Sequence, residues 1–136
     1  MGDSDVGRQM VTSAQADLAE QIRNSNSVEE TATLLQIDPS RVRRRLRDHA
    51  LYGFKLGAAT RIPRWQFTSQ GTPLPRLRAV LEALPNDLHP LEVAGFMTTA
   101  DPDLTVGNEQ VSPREWLEAG ANAAPILELA DAIDTW

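Results

Sequence analysis

The amino-acid sequence predicts a mainly α-helical α+β fold with one small β-hairpin. Most apolar residues recur at helical spacing, and two Ser-x-x-Glu sequences, at residues 27–30 and 112–115, are capping boxes of the kind that begin helices. Only residues 51–63 alternate with the period of about 2 that is typical of strands. With 136 residues and 41% hydrophobic content, the chain can form one ordinary domain or two very small ones.

Residues 1–26 are predicted to be an N-terminal arm followed by a packing or dimerisation helix. The first dozen residues are polar and show no periodicity. From about residue 10 to residue 24, the positions of Val11, Ala14, Leu18 and Ile22 fit one face of a helix.

Residues 27–67 contain a helix, a short turn, a second helix and a hairpin. The first helix is expected at 28–35, after the capping box formed by Ser27 and Glu30. The second is expected at 39–49, where Asp38 can cap the helix and Pro39 suits its first position. A β-hairpin that turns at Gly57 follows at 51–63. This order of elements makes a winged helix-turn-helix with a small β-hairpin wing.

The rest of the chain is predicted to be a linker and a small acidic helical C-terminal domain. Residues 68–75, with two prolines and a glycine, are the linker, and residues 76–136 form a partner-binding or oligomerisation module. Its helices are expected at about 77–84, 90–97, 113–120 and 125–133, with a small hairpin at Gly107 and Asn108.

The charge of the chain is distributed very unevenly. The net charge is −6, but residues 41–78 hold ten basic residues and one acidic residue, a local charge of +9. The segments before and after carry −5 and −10. The basic residues of this segment are almost all arginine, which suits bidentate contacts to phosphate and guanine and favours double-stranded DNA as the partner.

The second helix of residues 27–67 carries the candidate DNA-binding side chains. Val42 and Leu46 are four residues apart and can face the core, which leaves the arginines on the remaining circumference. Arg43 and Arg44, with Ser40 beside them, are the candidates for base-edge contacts. Phosphate contacts are assigned to Arg41, Arg45 and Arg47, and Lys55, Arg61 and Arg64 extend the basic patch along the hairpin.

The segments at 27–35, 38–42, 47–48, 56–57 and 61–63 resemble the DNA-binding module of the excisionase and MerR-like family. The resemblance covers residues 27–67 and implies that the second helix enters the major groove as a recognition helix. Two positions differ from the family pattern. Gln36 stands where the family often has glycine, and Ala58-Ala59 stands at the wing tip where basic or polar residues are usual. A minor-groove contact by the wing tip is therefore left open.

Residues 113–120 and 125–127 are similar to the end of the C-terminal domain of Xre/ParS-type antitoxins, which often accompany RES-domain toxins. The resemblance implies an autoregulating antitoxin that represses its own operon and binds a toxin, with Trp116 and Leu117 as candidate partner-binding residues. The alternative is a plain DNA-binding regulator or architectural protein whose C-terminal half only dimerises. A homodimer is expected in either case, because one such module offers only a short half-site.

Composition disfavours several other classes of protein. The chain has no cysteine and only two histidines, His49 and His89, so no catalytic residue, metal site or cofactor is predicted, and an enzyme is not expected. No apolar stretch approaches the roughly 18 residues of a membrane span. The N-terminus is acidic where a signal peptide is basic, so the sequence predicts a cytoplasmic protein with no membrane association.

Overall fold

The computed structural model describes residues 15–133 and has the predicted α+β class, with seven helices and small antiparallel sheets in that range. A helix, α1, occupies residues 15–23 where the description begins. The elements after it are β1 (Ser25–Asn26), α2 (Val28–Leu35), α3 (Pro39–Arg47), β2 (Phe54–Leu56), β3 (Ala59–Pro63), a 3₁₀ turn (Arg64–Gln66), α4 (Leu77–Ala83), α5 (Pro90–Thr98), β4 (Thr105–Val106), β5 (Glu109–Gln110), α6 (Pro113–Glu118) and α7 (Ala124–Asp131).

Local sequence signals explain most of the boundaries of α2 and α3. The capping box is confirmed, because the Glu30 N–H donates to Ser27 Oγ and the Ser27 N–H donates to Glu30 Oε1. Gln36 ends α2 in the left-handed region with φ +58°. Pro39 begins α3 and Asp38 occupies its N-cap position, both as predicted. The Asp38 side chain makes no capping hydrogen bond, and only its carbonyl accepts from the first turn.

A three-stranded antiparallel sheet with the strand order β1-β3-β2 lies beside α2. The predicted hairpin is confirmed, with shorter strands than expected and a turn at Gly57, whose φ of +61° favours glycine. The sequence did not indicate β1, in which Ser25 and Asn26 pair with Pro63 and Ile62. A strand of two residues is too short to show a period of 2.

One continuous apolar core joins the two halves of the described chain. It extends from Val28 in α2 to Ala130 in α7 and includes Leu74, which lies in the predicted linker. Arg114 of α6 adds polar contacts across the halves, donating to the backbone carbonyls of Trp65 and Phe67 at 2.8 Å each. The predicted linker at residues 68–75 therefore contributes to the core and does not leave the two halves unpacked.

Helix α1 lies on the surface of this core. Leu18 and Ile22 are half-buried, and Gln21 Nε2 donates to the carbonyl oxygen of Pro90 at 3.1 Å. Two residues of the predicted apolar face, Val11 and Ala14, lie outside the described residues.

The elements of the C-terminal half lie close to their predicted positions. The second capping box is confirmed by reciprocal hydrogen bonds between Ser112 and Glu115, and the β4–β5 hairpin turns at Gly107 as expected. Helix α5 has a further cap that the sequence did not suggest, because the Leu91 N–H donates to Nδ1 of His89. Within residues 15–133, no helix is long and apolar enough to cross a bilayer.

Candidate nucleic-acid interface

Helix α3 turns one face inwards and presents a row of polar side chains outwards. Val42 is completely buried and Leu46 packs against the core, as predicted. Residues spaced i, i+3, i+4 and i+7 share a helix face, and four exposed residues of α3 have this spacing. We call them the outer stripe: Ser40, Arg43, Arg44 and Arg47. Arg41 is also exposed beside the stripe, whereas Arg45 is half-buried at the edge of the inward face.

The arginines of the outer stripe are only weakly neutralised by the protein itself. Arg43 lies 3.6 Å from a carboxylate oxygen of Glu29, and Arg44 lies 3.8 Å from one of Asp48. The arginine side chains of these pairs are 54% and 77% exposed, and exposed pairs of this kind contribute about 0–1 kcal/mol. Among the described residues, Arg47 has no carboxylate within 4.0 Å. A polyanion can therefore contact these guanidinium groups at little cost in lost ion pairs.

A basic cleft separates α3 from the β2–β3 hairpin. It has a volume of about 360 Å³ and is lined by Arg43, Leu46, Arg47, Gly53, Phe54, Lys55 and Thr60. Lys55 is twelve residues from Arg43 in sequence, yet both side chains line this cleft. The hairpin therefore adds a cation to the side of the outer stripe.

Two of the predicted DNA-binding arginines are hydrogen-bonded within the sheet. The half-buried Arg61 donates from Nε to Ser25 Oγ at 3.0 Å and from Nη2 to the Ser25 carbonyl oxygen at 2.7 Å. Arg64 donates from Nε to Asn26 Oδ1 at 2.8 Å. Both side chains thus connect β3 and the turn after it to β1. Only their remaining N–H groups are free to contact a phosphate.

The tip of the hairpin is exposed and uncharged. Leu56 is 43% exposed, and Gly57, Ala58 and Ala59 are exposed beside it.

The two candidate partner-binding residues differ in accessibility. Leu117 is completely buried in the core of the chain, so a partner cannot reach its side chain in this conformation. Trp116 is half-buried, and its Nε1–H donates to the carbonyl oxygen of Asn122 at 2.8 Å. The burial of Leu117 follows from its place on the inner face of α6, which the resemblance at residues 113–120 and 125–127 did not indicate.

The titratable groups with altered pKa values have structural partners. The pKa of Glu30 is lowered by the Ser27 N–H, and that of Glu118 by the Ser69 N–H. Burial raises the pKa of Tyr52, which stacks on Trp65, to about 12. Among residues 15–133, no three His, Asp or Glu side chains are grouped so as to hold a metal ion.

Comparison with known proteins identifies a structural relative. No protein-family model and no curated protein matches the chain. Among solved structures, the NMR structure of Rv2175c is similar to it, with 26% sequence identity and a TM-score of 0.61. The similarity covers 79% of each chain, so the two share the arrangement of a small α+β domain over most of their length.

Proposed function

We propose that this protein is a sequence-specific double-stranded DNA-binding transcriptional regulator. In this proposal, residues 27–67 act as a winged helix-turn-helix, with α3 as the recognition helix and the β2–β3 hairpin as the wing. The observation that carries the proposal is the outer stripe, in which three exposed arginines and Ser40 occupy the face of α3 opposite Val42.

The stripe suits the dimensions and the chemistry of the major groove. The groove admits one α-helix, and arginine reads guanine by donating two hydrogen bonds to its O6 and N7. Arg43 and Arg44 lie in the middle of α3, one turn after the N-terminal residues that approach the bases most closely in helix-turn-helix proteins. Ser40 lies one turn earlier on the same face, while Arg41, Arg47 and Lys55 are placed to contact phosphates.

The acidic half supports specificity rather than affinity in this proposal. Residues 79–136 have one basic and eleven acidic residues, so this part of the chain is repelled by the DNA backbone. Orientations that turn these carboxylates away from the duplex reduce the repulsion, which favours docking through α3.

The test is fluorescence-anisotropy binding to the DNA upstream of the gene and to a scrambled duplex, over a series of salt concentrations. We expect a preference for the upstream DNA and a steep salt dependence, because the logarithm of the affinity falls by about 0.9 per phosphate contact for each tenfold rise in salt. Equal binding to both duplexes, or no binding to either, contradicts the proposal.

A pair of double variants assigns the binding to α3. Replacing Arg43 and Arg44 by alanine is expected to weaken specific binding at least tenfold, since each bidentate base contact contributes about 1–3 kcal/mol. The matched control replaces Arg76 and Arg78, which removes the same charge from the same basic segment but from the start of α4, where Arg78 is already paired with Glu82 at 3.0 Å. Similar losses in both double variants would show that charge alone, and not the α3 face, carries binding.

We further propose that the C-terminal half supplies assembly, either as a homodimer or by binding a toxin in an autoregulating antitoxin. Exposed carboxylates and the accessible part of Trp116 are the surface available for this role. Light scattering after size exclusion distinguishes the two. A homodimer has twice the 15.0 kDa mass of one chain, whereas a toxin complex requires co-expression with the protein encoded by the neighbouring gene.

A further inference from the structure

A second cavity lies behind α3, between the end of that helix and the α4–α5 connection. Its volume is about 330 Å³. Its floor is apolar and consists of buried side chains, among them Leu51, Leu81, Leu84 and Val93. We call it the apolar cavity. It lies where the segment with the predicted DNA-binding residues meets the acidic half.

Polar atoms also contribute to the surface of the apolar cavity. Its lining includes His49, Tyr52 and Asn86, and no Lys, Arg, Asp or Glu. The Tyr52 backbone is already satisfied, since its N–H and carbonyl both bond to the Gln66 side chain at 2.8 Å. Its hydroxyl makes no hydrogen bond to another described residue, so a ligand can use it.

We propose that the apolar cavity binds a small, uncharged, aromatic molecule that carries one hydrogen-bonding group. Pockets for small molecules are mostly apolar, with a few polar groups that orient the ligand, and begin at about 300 Å³. The volume of about 330 Å³ lies within the range of such pockets. The absence of Lys, Arg, Asp and Glu from the lining disfavours nucleotides and other multiply charged ligands.

A ligand in the apolar cavity would also affect the basic cleft, which lies on the other side of Leu46. Leu46, Gly53 and Phe54 line both the apolar cavity and the basic cleft, so they form the wall between them. The wall is tightly packed, because a Cβ atom placed on Gly53 would lie 2.9 Å from Leu46 Cδ2. A ligand that pushes Leu46 must therefore shift α3 against the hairpin and alter the basic cleft. The regulatory part of the proposal rests on the proposed DNA binding, whereas the binding site itself does not.

The first experiment titrates the full chain with indole and follows backbone amides by NMR. We expect saturable shifts of residues 51–54 and 84–88, with smaller shifts at Arg43, Arg47 and Lys55 across the wall. Shifts that do not saturate in the millimolar range, or that are spread over the whole surface, overturn the site.

Two substitutions fill the cavity, and a third serves as their control. Leu88→Trp places an indole at the half-buried rim, and Asn86→Trp does so from an exposed position where folding is less at risk. Asp87→Trp adds the same ring between them at an exposed residue that does not line the cavity. Saturable shifts should disappear in both cavity-filling variants and remain in the control. Unchanged binding in both cavity-filling variants contradicts the proposal.

The second experiment repeats the anisotropy measurement with indole at saturation. We expect the affinity for the upstream DNA to change at least about fivefold in the parent and to stay constant in Asn86→Trp. Saturable indole binding with no change in DNA affinity refutes the regulatory link but retains the site. If the parent binds no DNA, the proposed function fails by itself, and the amide shifts at Arg43, Arg47 and Lys55 decide whether the two cavities are coupled.

Discussion

Gln66 is the polar residue whose removal should cost the most stability. Its side chain is completely buried and makes three hydrogen bonds: it accepts from the Tyr52 N–H at 2.8 Å and donates to the carbonyl oxygens of Tyr52 at 2.8 Å and Pro63 at 2.9 Å. These bonds join the chain before the hairpin to the turn after it. Each such bond contributes about 1 kcal/mol, so Gln66→Ala should lower the free energy of unfolding by about 3 kcal/mol.

Urea unfolding and thermal melting followed by circular dichroism measure this loss. For a chain of this size, about 3 kcal/mol corresponds to a decrease in Tm of about 10 °C. Gln66→Glu should be similarly damaging, because a carboxylate cannot donate to the two carbonyl groups. The control is Gln70→Ala, an exposed residue that should change stability by less than about 0.5 kcal/mol. If Gln66→Ala melts within about 2 °C of the parent, the three bonds do not stabilise the fold as argued.

Three further predictions concern single groups. Absorbance titration of Tyr52, the one tyrosine of the chain, should have its midpoint near pH 12 in the folded protein and near 10 in urea. Because the folded state holds this proton more tightly, stability should fall as the pH rises from 10 to 12. Gly57→Ala should destabilise the protein by about 1–2 kcal/mol, because the backbone φ at this position is +61°. Gly95→Ala should stabilise it by about 0.5–1 kcal/mol, because Gly95 lies within α5 and an added Cβ atom meets no other atom. Equal effects of the two substitutions in thermal melts contradict this reasoning. The Ser69 N–H donates to Glu118 Oε1 at 3.1 Å and lowers the pKa of this carboxyl below 4.5. The contribution of the ionised carboxylate to stability is therefore complete above pH 4.5 and is lost as the pH falls through the pKa of the folded state. Glu118→Gln should flatten this part of the acid unfolding curve.

Elements with strong local signals were predictable from the sequence. The capping boxes at Ser27 and Ser112 and the proline at the start of α3 act within one helical turn, so their effect hardly depends on the rest of the fold. Asp38 shows the limit of such signals. Its side chain type suits a cap, but its rotamer is decided by its surroundings, and the cap bond is absent.

The candidate interface was predictable in part. A helix period of 3.6 residues and a buried Val42 are sufficient to place Ser40, Arg43 and Arg44 on the outer face of α3. The sequence did not show that Arg61 is engaged with Ser25, 36 residues away, or that Lys55 lines a cleft with Arg43. These contacts depend on the register and twist of the sheet, which the local pattern does not determine.

The sequence by itself determined where the helices and the hairpin lie along the chain, which face of α3 is polar, and how charge divides between a basic segment and an acidic C-terminal half. These properties follow from spacing and composition over a few residues. Only the tertiary structure decided that the two halves share one core, that Leu117 belongs to its interior, and that Leu46 separates a basic cleft from an apolar cavity. The physical reason is that these features arise from close packing of side chains distant in sequence, where shape complementarity and the loss of solvent decide which faces meet.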